Sequence, residues 1–186
     1  LPTAQIMLNS KSASFPDGIG NSSGTLGHHL MDHFGVGVDG EMEGFEDGYY
    51  NGHRPNGIYI PRFQNIEQND RDFLRGFGYQ GGASRKGWER GMYSQGLGME
   101  FKNTMSKPGP WTMNLGGYGE CLPYYDNKVE LHPELKDEWG MPLLHISCEL
   151  KENEKKIMKA MKDHGAEILR KAGGLDIQHT EPEDWI

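Results

Sequence analysis

The spacing of apolar side chains changes once along the chain, at about residue 151. In three runs before that point, apolar and polar residues alternate, which is the period of a strand with one buried face. After it, apolar side chains recur every three or four residues on one side of a helix, at Ile157, Met161, Ile168 and Ala172. Gly173-Gly174 then provides a helix stop. The pattern predicts an α+β fold in which an antiparallel sheet packs against a long C-terminal helix.

The three alternating runs predict consecutive antiparallel strands joined by two turns. The strands are expected at residues 111–115, 128–132 and 143–150, with turns at Tyr125-Asp126-Asn127 and Trp139-Gly140. A further strand is predicted within residues 57–63. We place it at a sheet edge, because Pro61 has no N–H group to donate to a neighbouring strand.

The first half of the chain has a different composition. Residues 11–57 are rich in Gly, Ser, Asn and Asp, with turn signals at Pro16-Asp17-Gly18, Asp39-Gly40, Asp47-Gly48 and Pro55-Asn56-Gly57. This composition predicts loops and one short helix at residues 25–31, which Ser22 or Ser23 would cap. Within one domain of ordinary size we expect a loop-rich segment at 11–57, the sheet and helix at 58–174, and a tail at 175–186.

Charge and apolar content exclude several classes of protein. The 186 residues include 19 basic and 27 acidic side chains, a net charge of −8, which opposes phosphate binding, so we expect no nucleic-acid partner. No run approaches the roughly 20 apolar residues that cross a bilayer, and the first residues lack a cleavable-leader pattern. The start at Leu1 suggests a processed or excised piece. Cys121 and Cys148 are too few for a disulfide scaffold, and we expect both thiols to be buried.

Two glycine motifs match the dinucleotide-binding fingerprint in letters but not in context. One begins at Gly35 and the other at Gly76. The fingerprint follows a buried strand and opens a helix whose N-terminus holds a pyrophosphate. Here an acidic loop follows the first motif, and a glycine and a polar turn follow the second. We therefore predict that neither motif binds phosphate.

Two other groups resemble metal sites incompletely. Residues 39–43 open like a calcium loop, but the twelfth position is Tyr50 rather than a glutamate. His28, His29 and His33 lie in one short segment. His29 and His33 are four residues apart, as zinc ligands on a helix can be, but the glutamate of a metalloprotease does not lie between them. We expect a solvated acidic face and ordinary histidine packing, and no metal.

Aromatic and basic side chains are interleaved between Asp70 and Tyr93, a mixture that can stack on sugars or bases. They are Arg71, Phe73, Arg75, Phe77, Tyr79, Arg85, Lys86, Trp88 and Arg90. The favoured interpretation is a twisted hairpin with amphipathic side chains, and the alternative is a carbohydrate-stacking surface at residues 73–93. This alternative would make the chain a stand-alone carbohydrate-binding or interaction module.

Five segments carry a family resemblance through their order. They are LPTAQIMLNS at residues 1–10, NSSGTLGHHLMDH at 21–33, GIYIPRF at 57–63, ECLP with DNKVEL at 120–131, and GMP at 140–142. Together they resemble the FAD-dependent glucose-methanol-choline oxidoreductases, in particular the sugar-oxidising branch that includes gluconate dehydrogenase and pyranose oxidase. Ala4 and Lys11 depart from the family signature. The family's nucleotide-binding glycine motif would lie upstream of Leu1, and its catalytic histidine motif downstream of Ile186.

The resemblance implies a flavin-domain remnant at residues 1–10 and a substrate-binding domain at 11–186. It implies that the parent protein oxidises a CH–OH group of a sugar or alcohol by hydride transfer to FAD. We expect this chain alone to bind no FAD, to supply no catalytic residue and to be inactive. Its partners would be the substrate and the flavin-binding part of the parent protein, with self-association through an exposed sheet face when that part is absent.

Three residues are expected to contact substrate. Asn114 and Tyr118 lie on the polar face of the strand that begins at Trp111, where the resemblance places the wall over the flavin. Arg62 is a further candidate. Hydrogen bonds from such side chains to sugar hydroxyls discriminate between substrates, because a mismatched substrate leaves them unpaired.

Overall fold

The computed structural model of the protein describes residues 1–45 and 57–180. Within them the chain forms three α-helices, one short 3₁₀ helix and seven strands. In chain order these are α1 (Pro2–Asn9), β1 (His33–Met42), β2 (Ile58–Ile60), β3 (Gly78–Arg85), the 3₁₀ helix (Trp88–Met92), α2 (Gly98–Met105), β4 (Trp111–Glu120), β5 (Lys128–Lys136), β6 (Pro142–Ser147), α3 (Glu152–Lys171) and β7 (Gly174–His179).

The chain divides into two compact units. The first comprises Leu1–His33 and Glu120–Glu154, and the second comprises Phe34–Gly119 and Lys155–Ile186. The first unit contains α1 and the β5–β6 hairpin, with Gln5 Nε2 of α1 donating to the Pro142 carbonyl of β6 at 2.8 Å. The second contains a five-stranded sheet and most of α3.

The five-stranded sheet has the order β2-β3-β4-β1-β7, and its β2–β3, β3–β4 and β1–β7 pairs are antiparallel. One face packs on α3, which confirms the predicted α+β architecture. The core between them is apolar because strand side chains alternate and only one face turns toward the helix. Its buried side chains include Phe34, Val36, Val38, Phe77, Tyr79, Leu115, Ile157, Met161 and Leu169.

Small residues bring α3 unusually close to the sheet. A Cβ atom at Gly165 of α3 would lie 2.9 Å from Cγ2 of Val38, and one at Gly117 of β4 would lie 3.0 Å from Cγ of Met161. The buried Tyr79 hydroxyl donates to the Met161 carbonyl of α3 at 2.7 Å. Its burial raises the pKa of this phenol, so the hydroxyl keeps its proton and remains a donor.

Glu154 organises the first unit through its buried carboxylate. It accepts hydrogen bonds from the backbone N–H groups of Leu122 and Lys151, both at 3.0 Å, and from the Tyr124 hydroxyl at 3.1 Å. Burial alone would raise the pKa of this carboxyl, but the hydrogen bonds from Leu122, Lys151 and Tyr124 outweigh it and hold the pKa below its usual value. One ionised side chain therefore ties the start of α3 to the segment that follows β4.

The predicted strands exist, but one predicted pairing was wrong. The runs that begin at Trp111, Lys128 and Leu143 do not form one three-stranded sheet, because β4 pairs with β3 whereas β5 and β6 form a separate two-stranded sheet. Alternation identifies which face of a strand is buried, but it does not identify the neighbouring strand. The predicted edge strand is confirmed as β2, at the end of the five-stranded sheet.

Four expectations for the rest of the chain were also wrong. Residues 25–31 are not helical, because Gly27 and His29 have φ values of 86° and 60° and the Gly27 carbonyl accepts from Val129 N of β5 at 2.8 Å. The second is that no strand was predicted in the loop-rich segment 11–57, which contains the ten-residue strand β1.

The third expectation was a tail at 175–186. Its first residues instead belong to β7, which pairs with β1. Residues 73–93 are the fourth: they do not form a hairpin, since β3 pairs with β2 and β4. The turn signals at 47–48 and 55–56 lie outside the described residues, as does the end of the predicted tail.

Candidate functional site

The face of the five-stranded sheet that points away from α3 carries the candidate site, and we call it the outer face. Residues directly opposite each other in neighbouring strands share a face. Tyr59 of β2 is opposite Gln80 of β3, and Gln80 is opposite Gly116 of β4. Asn114 and Tyr118 lie two positions to either side of Gly116, so their side chains project on this same face.

Most of the central positions of the outer face have no side chain. Gly82 is opposite Asn114, and Gly78 is opposite Tyr118. With Gly116 and Gly35 of β1, these residues form what we call the glycine floor. A floor of this kind lets a ligand or another chain approach the sheet backbone closely, which glycine permits and larger residues prevent.

The Tyr118 ring rests on the glycine floor. A Cβ atom at Gly116 would lie 3.3 Å from the ring carbon Cε2 and 3.4 Å from the hydroxyl, and one at Gly35 would lie 3.8 Å from Cδ1. Even so, 45% of Tyr118 remains exposed. The ring is therefore positioned by the glycines on both sides of it and still presents one surface to a ligand.

Around the glycine floor the outer face carries neutral hydrogen-bonding groups, and the carboxylate of Glu120 lies two positions beyond Tyr118 at the end of β4. Asn114 and Gln80 offer amides, which both donate and accept, and Tyr59 and Tyr118 offer phenols beside apolar rings. Such groups suit an uncharged ligand that has hydroxyl groups. Sequence reasoning missed Tyr59 and Gln80, because their membership of this face depends on the β2–β3–β4 register.

Arg62 has a different environment from the other two predicted substrate contacts. Its Nε donates to the Gln64 carbonyl at 2.9 Å, and its Nη2 donates to the Asn65 carbonyl. A Cβ atom at Gly76 would lie 2.8 Å from Nε. The guanidinium thus closes the loop that follows β2, so the structure brings together Asn114 and Tyr118 while Arg62 is bonded within its own loop. Its contact with substrate stays a prediction.

A second exposed surface lies on the segment between β3 and β4. Trp88, Met92, Phe101 and Met105 line an open cavity of about 400 Å³, formed by the 3₁₀ helix and α2. Trp88 is 72% exposed and Tyr93 is 88% exposed. The other aromatic residues of the predicted stacking surface, including Tyr79, are buried in the core.

The remaining sequence motifs have structural roles. The glycine motif that starts at Gly35 lies within β1, and the one that starts at Gly76 leads into β3, so neither opens a helix. His28 Nδ1 donates to the Tyr125 carbonyl at 2.6 Å, and His29 Nδ1 donates to the Pro123 carbonyl at 2.8 Å. These bonds agree with the ordinary histidine packing expected from the sequence.

The described residues contain neither a metal-binding cluster of side chains nor a membrane-spanning helix. Within residues 1–45 and 57–180, no group of three or more His, Cys, Asp or Glu side chains is arranged to hold a metal ion. The twelfth position of the calcium-like loop, Tyr50, lies outside those residues. No helix in the described part of the chain combines the length and apolar character needed to cross a membrane.

Comparison with known proteins identifies dehydrogenases as relatives. No family model matches the chain. It is 28% identical over 197 aligned positions to 2-methyl-1,2-propanediol dehydrogenase of Mycolicibacterium austroafricanum, with 98% of the chain and 35% of that protein covered. It is 23% identical over 181 positions to the fructose dehydrogenase large subunit of Gluconobacter japonicus, with 97% and 33% covered. The chain thus resembles part of an oxidoreductase and spans about a third of the length of these curated relatives.

Proposed function

We propose that this chain is the substrate-binding segment of an FAD-dependent oxidoreductase of the glucose-methanol-choline type, which oxidises a CH–OH group of a sugar or alcohol. The observation that carries the proposal is the outer sheet face, where a glycine floor supports Tyr118 between positions open to a ligand. In this role the face covers a flat redox ring and binds the alcohol against it. The names of both relatives, a propanediol dehydrogenase and a fructose dehydrogenase subunit, support a substrate of this class.

The residues of this chain are suited to covering the flavin ring and not to binding the nucleotide half of FAD. A wall needs close backbone approach and neutral polar groups, and the glycine floor with Asn114 and Tyr118 offers both. Holding the pyrophosphate of FAD needs backbone N–H groups at a helix N-terminus after a glycine turn. The motifs at Gly35 and Gly76 are associated with strands instead. The nucleotide would therefore be held by another part of the parent protein.

Within such a site the side chains of this chain would orient the substrate. FAD, when bound, supplies the acceptor for the hydride that leaves the alcohol carbon. The Asn114 amide and the Tyr118 hydroxyl would hydrogen-bond to substrate hydroxyls and select those whose geometry leaves no group unpaired. The sheet backbone would exclude water from the reacting carbon. The base that accepts the hydroxyl proton is expected from another part of the parent protein.

The proposal is tested on the full natural protein that carries this chain. We would measure flavin content and anaerobic flavin reduction by a panel of sugars and short diols, for wild type, Asn114→Ala and Tyr118→Phe. Loss of one hydrogen bond to substrate is expected to raise KM about tenfold. Matched controls are Asn103→Ala on α2 and Tyr93→Phe after the 3₁₀ helix, both at exposed positions away from the glycine floor.

The outcomes separate the proposal from its alternatives. Support requires bound flavin, reduction by at least one alcohol, and a higher KM in the two outer-face variants with unchanged flavin content and unchanged controls. A natural protein without flavin contradicts the assignment to this class. Flavin reduction that the outer-face variants leave unaltered contradicts the role of this face as the substrate wall.

The exposed aromatic surface favours a second candidate, a carbohydrate-binding or interaction module. Trp88 and Tyr93 present their rings to solvent, and rings in this state can stack on sugars. Under this hypothesis Trp88→Ala abolishes retention on immobilised polysaccharides, while Tyr118→Phe does not alter it. Equal retention of wild type and Trp88→Ala contradicts the module hypothesis.

A further inference from the structure

The two cysteines of the chain are neighbours in the first unit. Cys121 follows the last residue of β4, and Cys148 follows the last residue of β6. Their side chains lie within hydrogen-bonding reach of each other. Cys121 has no exposed surface, whereas Cys148 is open to solvent, so the expectation that both are buried was wrong for Cys148. The pair therefore combines two neighbouring thiols with access from outside through Cys148.

The backbone on both sides of the pair is fixed by buried polar side chains. The residue after the first cysteine, Leu122, donates its N–H to Glu154 Oε1 at 3.0 Å. The residue after the second, Glu149, donates its N–H to Asn127 Oδ1 at 3.0 Å, and its carbonyl accepts from Asn127 Nδ2 at 3.1 Å. Glu154 and Asn127 are both buried. Because both segments are already held in place, joining the sulfurs orders little additional chain.

We propose that Cys121 and Cys148 are an oxidisable dithiol that closes to a disulfide by exchange with a small-molecule disulfide such as oxidised glutathione. The exposed Cys148 thiolate attacks one glutathione sulfur, so that a mixed disulfide forms and one glutathione thiolate leaves. Cys121 then loses its proton and attacks the sulfur of Cys148, which releases the second glutathione. Two electrons pass from the protein to glutathione disulfide, and the two protons end on the two glutathione thiols.

The surroundings of the pair set the rate of this exchange. Burial raises the pKa of both thiols, and the nearby carboxylates of Asp32 and Glu154 raise it further. Since the thiolate is the attacking species, exchange is slow at neutral pH and becomes faster as the pH rises toward the thiol pKa. The pair is thus expected to respond to sustained oxidation rather than to brief exposure.

A disulfide here would enclose the chain from residue 121 to residue 148, which contains β5 and β6. Cross-linking a loop of this size restricts the unfolded chain. In a parent protein as long as the curated relatives, the oxidised form is therefore expected to unfold at a temperature about 2–4 °C higher than the reduced form.

The test uses the full natural protein, equilibrated at mildly alkaline pH with either reduced or oxidised glutathione, and then alkylated and digested without reductant. Mass spectrometry is expected to find a cross-linked peptide pair that contains Cys121 and Cys148, two hydrogens lighter than the sum of the reduced peptides. The Cys121→Ser variant is expected to stop at a glutathione adduct on Cys148. The Cys148→Ser variant is expected to leave Cys121 reduced, because no exposed thiol starts the exchange.

The outcome for wild type decides the proposal whether or not the serine variants fold. A folded wild type that keeps both thiols free, or that stops at the Cys148 adduct, overturns it. A cross-linked peptide pair together with the higher unfolding temperature supports it. Neither result depends on flavin or on activity, so it is independent of the proposed enzymatic role.

Discussion

The close approach of α3 to the sheet predicts an unusual effect of adding one methyl group. In most helix interiors, Gly→Ala stabilises the protein by about 1 kcal/mol, because alanine is the better helix former. At Gly165 the new Cβ would lie 2.9 Å from Cγ2 of Val38 and 3.4 Å from Cε1 of Tyr79. Overpacking of a close-packed core costs about 1–3 kcal/mol, and a contact of 2.9 Å, closer than Cβ atoms normally approach, belongs to the upper part of that range. Gly165→Ala is therefore expected to lower the free energy of unfolding by about 1–2 kcal/mol.

The assay is urea unfolding followed by circular dichroism on wild type, Gly165→Ala, Val38→Ala and the double variant. Val38→Ala removes the methyl groups that the new Cβ would meet, so the double variant should be more stable than the sum of the single effects by about 1–2 kcal/mol. An increase in stability in Gly165→Ala, or strictly additive effects in the cycle, would refute the claimed contact between the helix and β1.

Of three further predictions, two concern buried hydrogen bonds and one concerns a glycine that lies against the backbone of a neighbouring strand. Glu154→Gln leaves a buried donor unpaired and should cost about 1–3 kcal/mol at neutral pH. Because the folded-state pKa of Glu154 is lowered, its ionised form stabilises the protein above the unfolded-state pKa, and this advantage disappears as pH falls through the folded-state pKa. Urea titrations at several pH values should show the two proteins converging in acid, and a constant difference would contradict the linkage. Tyr79→Phe should cost about 1 kcal/mol in the same assay by removing the bond to the Met161 carbonyl, and an unchanged midpoint would show that bond to be unimportant. Gly27→Ala should prevent native folding, seen as loss of near-ultraviolet dichroism, because its φ is 86° and its Cβ would lie 2.1 Å from a carbonyl oxygen of β5; a native spectrum would contradict that geometry.

The sequence predicts the elements whose side chains have a strong period, and it misses pairings that depend on distant residues. The predicted C-terminal helix is confirmed as α3, and the predicted edge strand as β2. β1 escaped prediction although Phe34, Val36 and Val38 alternate within it, because the intervening residues are glycine, aspartate or other turn formers. Their turn propensity suggested a loop, whereas close neighbours in the sheet require small residues there.

For the candidate site, too, the sequence predicted what lies within one strand and missed what depends on pairing between strands. Asn114 and Tyr118 could be assigned to one face from alternation alone, since they are four residues apart in one strand. Tyr59 and Gln80 could not, because their place on that face follows from the register of three strands. The loop contacts of Arg62 could not be predicted either, since backbone carbonyls leave no signal in the sequence.

The way β3 connects to β4 has a consequence for protein engineering. Arg85 and Trp111 are direct partners, and beyond them Lys86 N still donates to the Pro110 carbonyl at 3.0 Å. The residues between Lys86 and Pro110 extend away from the sheet, and their two ends are hydrogen-bonded to each other. The strands would therefore stay aligned if a tight turn replaced these residues. Gly109 still bonds to this end of the sheet, because its N–H donates to the Lys86 carbonyl at 2.8 Å and its carbonyl accepts from Arg85 Nε at 2.9 Å. We therefore expect residues 87–108 to be replaceable by a peptide tag or a foreign binding loop while the sheet is kept.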